Sequence, residues 1–206
     1  MKKILAICGS LLLIMFLYAV IHSEYDNVTD KLEEKFMGVN TVKLPFEESE
    51  DFYFSSGAGA WGTEMTVFNG GHFKGNFHDT NMGETGDKYP NGTVYMCDFS
   101  GEFTEVKKID KYSYSMKLGN IKPDKEPETE ELKDNIRYIY AEPYGLEDGE
   151  EFILYLPETP TEGLSEEFLS WWPGRFKMGG APETLSSYGI LNKSTGQGFF
   201  SDMIEE

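Results

Sequence analysis

The side chains able to do acid–base or metal chemistry are few, and most of them gather in one stretch. Beyond the N-terminal region the histidines are His72 and His78, and His78 is followed at once by Asp79. An imidazole beside a carboxylate is the elementary unit of general acid–base catalysis, since the acid orients the ring and stabilises its protonated form. His78 and Asp79 are therefore the candidate pair of a hydrolase working in an acidic cleft. Asp79 also begins a glycine-containing run in which Asn81, Glu84 and Asp87 offer further oxygens. Those four are weak candidates for a hard cation, set against a plain solvated loop. A calcium loop of the helix-flanked type fails, because counting from Asp79 puts Glu84 where glycine is required and Pro90 where the closing acid belongs.

His72 and His78 lie six residues apart in a strand-like stretch. On an extended chain that is roughly 20 Å, too far to share one metal. No phosphate loop, His-Glu-x-x-His, Cys-x-x-Cys or Gly-x-Ser-x-Gly occurs. The acidic pairs Glu47-Glu48 and Glu166-Glu167 do not form a glycosidase site: neighbours on a strand diverge, and acids opening a helix serve its dipole. No cofactor and no resident metal are expected. Cys97 is followed by Asp98, which opposes thiolate formation, so it reads as a small buried apolar side chain rather than a nucleophile. With Cys8 in the leader, no internal disulfide is expected.

These residues must be positioned by strands. The chain has 206 residues, 39% of them hydrophobic and 15% aromatic, enough to build a core. Trp61, Thr63, Met65 and Val67 alternate with Gly62, Glu64 and Thr66; Asn69-Gly70-Gly71 then turns the chain into Phe73 and Phe77. Tyr95, Cys97, Phe99 and Phe103 share a face, with Gly101 placed for a bulge. Tyr112, Tyr114, Met116 and Leu118 make the cleanest alternation. Residues 122–135, with Pro123, Pro127 and many charges, read as a solvated excursion. Ile136–Tyr140 and Glu151–Leu156 are two more strands, linked through Pro143-Tyr144-Gly145, and Gly189–Leu191 and Gly198–Phe200 close the sheet. One helix follows Ser165, which caps it, with Leu164 stapled onto Leu169, and it ends at Trp171-Trp172. The expected fold is all-β and mainly antiparallel: a meander barrel or sandwich with one short helix in the C-terminal half.

The domain plan places a signal or anchor segment at 1–23, a stalk at 24–51 and the barrel-like domain at 52–206. Lys2 and Lys3 precede an apolar run, Ile4 to Ile21, with no charged side chain. Its length suits both a cleaved signal peptide, with Ile21-His22-Ser23 as the available site, and an uncleaved anchor. Either way the remainder is extracytoplasmic, secreted or membrane-anchored, and meets the membrane only through residues 4–21. Leu5-Ala6-Ile7-Cys8-Gly9 resembles a lipobox, which would lipidate Cys8, but it lies ahead of the main apolar stretch; Cys8 otherwise is one more apolar residue. The net charge of −18, without a basic cluster, excludes phosphate-backbone recognition, so no nucleic-acid partner is expected.

Gly59-Ala60-Trp61, opening an amphipathic strand before a turn and an aromatic strand, resembles the Gly-x-Trp start of lipocalin and calycin barrels. The resemblance implies a first strand whose Gly59 and Trp61 are structural, the indole closing the barrel base beneath a basic side chain, here Arg137 or Arg175. The stretch from Phe54 to Trp61, with His78-Asp79 after the hairpin, is also similar to exported, lipoprotein-like proteins of Gram-positive bacteria and implies no activity. The combined expectation is a non-catalytic binding protein, for a small molecule in a barrel cavity or an envelope partner. Trp171, Trp172, Phe199 and Phe200 are either anchors for that partner or core. The alternative is the His78/Asp79 hydrolase.

Overall fold

Alternation decides which side chains a strand can bury. In β2 (Trp61–Phe68) Thr63, Met65 and Val67 are buried while Glu64 and Phe68 face solvent, as the sequence pattern requires. The structure is a computed structural model that describes residues 42–177 and 182–201. The leader, Cys8 and the expected stalk as far as residue 41 lie outside the described residues. Among the described residues no helix is long and apolar enough to cross a membrane.

The other strands are β1 (Ser49–Ser55), β3 (His72–Asn81), β4 (Thr93–Lys108), β5 (Ser113–Pro123), β6 (Glu130–Lys133), β7 (Ile136–Tyr140), β8 (Glu151–Tyr155), β9 (Gly189–Asn192) and β10 (Gly198–Phe200). Two short helices, α1 (Glu166–Ser170) and α2 (Gly174–Lys177), separate β8 from β9. Antiparallel pairing runs β1-β2-β3-β4-β5-β8-β9-β10 and returns to β1 through Tyr53 and Phe200, closing an eight-stranded up-and-down barrel of lipocalin-like type. Closure removes the open edges that would otherwise pair with other chains.

The β6–β7 hairpin stands outside this ring. β7 runs parallel to the start of β4, pairing Thr93 with Arg137 and Met96 with Tyr140. β4 is therefore shared: one edge carries β3, and the other carries first β7 and then β5. Its register against β5 shifts on either side of Phe103. Gly101 permits the local bend, because a Cβ there would lie 2.4 Å from the Phe73 ring.

The interior is filled. Phe52, Phe54, Met65, Phe73, Phe99, Phe103, Met116, Phe152 and Phe199 pack as one buried cluster inside the ring of strands. A second cluster lies where α1 covers the outer side of the late strands and joins Phe168, Leu169 and Trp172 to Phe200 and Leu185. Ser165 caps α1 by accepting from the Phe168 amide at 3.2 Å, and two glutamates occupy its first turn.

Three expectations are corrected. The folded chain begins before residue 52: Leu44 and Phe46 are buried in the core and β1 starts at Ser49, so the end of the expected stalk belongs to the barrel. The charged excursion at 122–135 is not all loop, since β5 extends to Pro123 and β6 occupies Glu130–Lys133; backbone pairing with β7 orders side chains that stay exposed. Trp61 opens the second strand of the barrel, not the first, because β1 precedes it.

Candidate functional site

The last residues of β7 lead into a loop, residues 141–150, that folds over one end of the barrel. Two polar side chains buried in the barrel wall hold it there. Thr63 on β2 donates its hydroxyl hydrogen to the carbonyl oxygen of Tyr144 at 2.7 Å. Asn192 on β9 donates through its amide nitrogen to the carbonyl oxygens of Gly145 at 3.1 Å and Glu147 at 3.5 Å. Buried polar atoms are retained where a partner repays their desolvation, and here that partner is the loop backbone. Leu146 inserts into the core, and Gly145 takes a φ of 96° where a Cβ would meet Phe54 and Phe199 at 2.7 Å. That position is restricted to glycine both by its left-handed backbone and by space.

Between this loop and the starts of β2 and β4 lies a cavity of about 570 Å³, lined by Trp61, Phe77, Asp79, Tyr95, Ala141, Glu142, Tyr144 and Glu147. Cross-strand register explains the floor. Asp79 on β3 pairs with Trp61 on one side and with Tyr95 on the other, so indole, carboxylate and phenol stand in one row across three strands. The loop supplies the opposite wall. The Tyr144 ring packs 5.3 Å from Trp61 and 6.1 Å from Phe77, and Trp61 is backed by Phe54 at 5.2 Å and Trp171 at 6.1 Å.

The electrostatics of the lining are one-sided. Asp79, Glu142 and Glu147 are acids and no base is among the lining residues. Burial pushes the Glu147 carboxyl above the usual carboxylate range, against backbone N–H groups, that of Gly145 among them, which favour its charge. The Tyr95 hydroxyl donates to Glu84 at 2.9 Å, which raises its pKa and keeps it a neutral donor. Glu84 in turn forms an ion pair with Arg137, whose guanidinium lies 4.8 Å from the Tyr89 ring centroid. The cavity wall is thus braced from behind by a phenol–carboxylate–guanidinium chain that ties the β3–β4 loop to β7.

Of the residues singled out by sequence, Trp61 and Asp79 line the cavity and His78 does not. Adjacent strand residues leave on opposite faces: Asp79 shares the inward side with buried Phe73 and Phe77, and His78 lies on the outer side over Gly62. The pair is not brought together as an acid–base couple. Nor do the loop oxygens converge on a cation. Glu84 is engaged by Arg137 and Tyr95, the Asn81 side-chain oxygen accepts from the Gly83 amide at 3.1 Å, and Asp87 is exposed. No group of three or more metal-binding side chains is arranged for a metal among the described residues.

The basic side chain expected over Trp61 is not Arg137 or Arg175. Arg137 is committed to Glu84 and Tyr89, and Arg175 pairs with Glu166 at 2.8 Å. Trp172, Phe199 and Phe200 are fully buried and Trp171 is half-buried against Phe54, so these rings are core. Cys97 is buried and unpaired among the described residues, and its pKa is pushed up to about 11, chiefly by burial.

Sequence reasoning missed Glu142, Tyr144 and Glu147, reading their stretch as a connection between strands. The available signal was an aromatic inside a Pro-x-Gly turn flanked by glutamates, in a loop where apolar Leu146 needs burial. No family model matches the chain, and no curated protein and no solved structure matches it. Fold and site together define a closed antiparallel barrel with a packed interior and an acidic, aromatic cavity at one end.

Proposed function

We propose that this chain is a non-catalytic, extracytoplasmic binding protein, exported or tethered through residues 1–23, that takes a small ligand at the end of its barrel. The observation that carries the reading is the cavity itself. Its volume of about 570 Å³ suits a small molecule, and it combines ring surfaces with a few polar groups held by a braced loop. The filled interior favours this end over a central cavity. No serine, cysteine or histidine is among the lining residues: Cys97 is held as a buried thiol and His78 lies on the outer side of β3. A binding role is what such a lining supports.

Native mass spectrometry of the domain purified from its native host tests this. The expected result is a copurifying small molecule that is lost from the Tyr144→Ala variant while the fold is retained by circular dichroism. Turnover in a hydrolase screen that disappears in His78→Ala, with thermal stability unchanged, would overturn it in favour of the acid–base alternative.

A further inference from the structure

The chemical class of ligand follows from the side chains that line the cavity. Rings form the walls: Tyr144 packs against both Trp61 and Phe77, and Tyr95 completes the row with Asp79. Three carboxylates share the rim and walls with no lysine, arginine or histidine among the lining residues. Asp79 and Glu142 form no ion pair and no side-chain hydrogen bond with any described residue. Glu147 is half-buried and reaches only its own loop backbone. The nearest arginine of the brace, Arg137, is spent on Glu84.

Each ligand class meets this lining differently. An anion would approach three acids and the negative faces of the rings. A neutral apolar body would strip water from carboxylates and return nothing for their desolvation. A small hard cation needs convergent oxygens, whereas the Tyr95 hydroxyl is spent on Glu84 and the acids are not grouped for a metal among the described residues. An alkylated ammonium satisfies both features. Its diffuse charge and apolar methyl groups suit tryptophan and tyrosine faces, and the carboxylates supply the counter-charge. The chain's net charge of −18 also raises the local concentration of cations.

Resting on the binding role proposed above, we infer that the cavity at the end of the barrel recognises a small molecule bearing an alkylated ammonium group, held against the contiguous ring surface of Trp61 and Tyr144 with Asp79, Glu142 and Glu147 around it. The test titrates the chain from residue 42 to 206 with choline, with its uncharged isostere 3,3-dimethylbutan-1-ol, and with the neutral dye N-phenyl-1-naphthylamine, using calorimetry and tryptophan fluorescence. The full chain in detergent is run in parallel, so that a failure of the shortened chain to fold, seen by circular dichroism, does not decide the outcome.

The expected result is that choline binds about tenfold or more tightly than the isostere. Asp79→Asn should lower choline affinity by a similar factor and leave the isostere unchanged. Equal or tighter binding of the isostere would overturn the ammonium assignment and leave the binding role standing. Binding of the dye alone would do the same. Failure of all three probes on folded protein removes both.

Discussion

The Thr63 hydroxyl, buried in the wall of the barrel, donates to the carbonyl oxygen of Tyr144 at 2.7 Å, so a strand residue fixes the height of the ring that closes the cavity. Thr63→Val keeps the side-chain shape and removes the donor, leaving a buried carbonyl without its partner. The expected cost is about 1–3 kcal/mol in global stability. Amide exchange should quicken at Gly145 and Leu146 more than in β2. Equal exchange throughout the loop would show that the Asn192 contacts alone hold it.

Gly145 is the second point on which the loop turns. Its φ of 96° and the 2.7 Å approach of a hypothetical Cβ to both Phe54 and Phe199 leave no room for a side chain. Gly145→Ala is expected to destabilise by roughly 1–3 kcal/mol, through backbone strain and displacement of two core rings. Ligand binding at the cavity should weaken beyond what stability explains, because Tyr144 and Glu147 move with the loop. Chemical denaturation and titration of the same sample separate the two effects.

The barrel was legible where alternation is long. Trp61 to Val67 and Tyr112 to Leu118 announce which face is buried, and the sheet follows from pairing such strands. Two regions escaped. β1 carries only Phe52 and Phe54 as alternating core residues, after a charged stretch, so its period of two is too short to stand out. β6 has four exposed residues, and its pairing with β7 is a backbone matter that no side-chain pattern records. The cavity was half legible: Trp61 and Asp79 lie on strands and inherit their facing from alternation. Glu142, Tyr144 and Glu147 lie on a loop placed by hydrogen bonds from Thr63 and Asn192, which are distant in sequence.

Cys97 provides a pH test of the packed interior. Burial first, and then Asp98, Asp124 and Glu142, hold its folded pKa at about 11 against an ordinary 9.0. Because the folded state keeps the proton longer, stability is intact below the ordinary value and falls as pH rises from there through the folded pKa. At pH 8 a thiol reagent should therefore modify native protein only through unfolding, with rapid labelling in denaturant. Cys97→Ser should cost about 1–3 kcal/mol by placing a hydroxyl in an apolar site. Stoichiometric labelling of the native state within seconds would contradict this placement.

Glu147 responds at the acid end. Burial raises its folded pKa, so folding is relatively favoured at pH values below the ordinary carboxylate pKa of 4.5, and that advantage is lost as pH rises through the raised value. Glu147→Gln removes a charge the protein desolvates at neutral pH while keeping an acceptor for the Gly145 amide. Its stability at pH 7 should equal or exceed that of the parent, with a shallower decline between acid and neutral pH. Thermal melts across that range check the slope. A marked loss of stability at pH 7 would mean that the carboxylate charge, not its burial, dominates the site.

The brace behind the cavity is a partly buried ion pair, and its two ends are unequal. Arg137 donates to Glu84, lies against Tyr89, and is 18% exposed, whereas Glu84 is 33% exposed. Removing the guanidinium leaves Glu84 without its cationic partner while Tyr95 still donates to it at 2.9 Å. Arg137→Met is expected to cost about 1–3 kcal/mol, below the range for fully buried pairs because water reaches both partners. Glu84→Gln should cost less, since the amide oxygen still accepts from Tyr95 and Arg137 keeps its contact with the Tyr89 ring. In the double variant the losses should fall short of additivity, by an amount a double-mutant cycle measures directly. Additive losses would mean that Glu84 and Arg137 act on the β3–β4 loop and on β7 separately. Coupled losses accompanied by weaker ligand binding would place Tyr95, through this chain, among the residues that set the shape of the cavity.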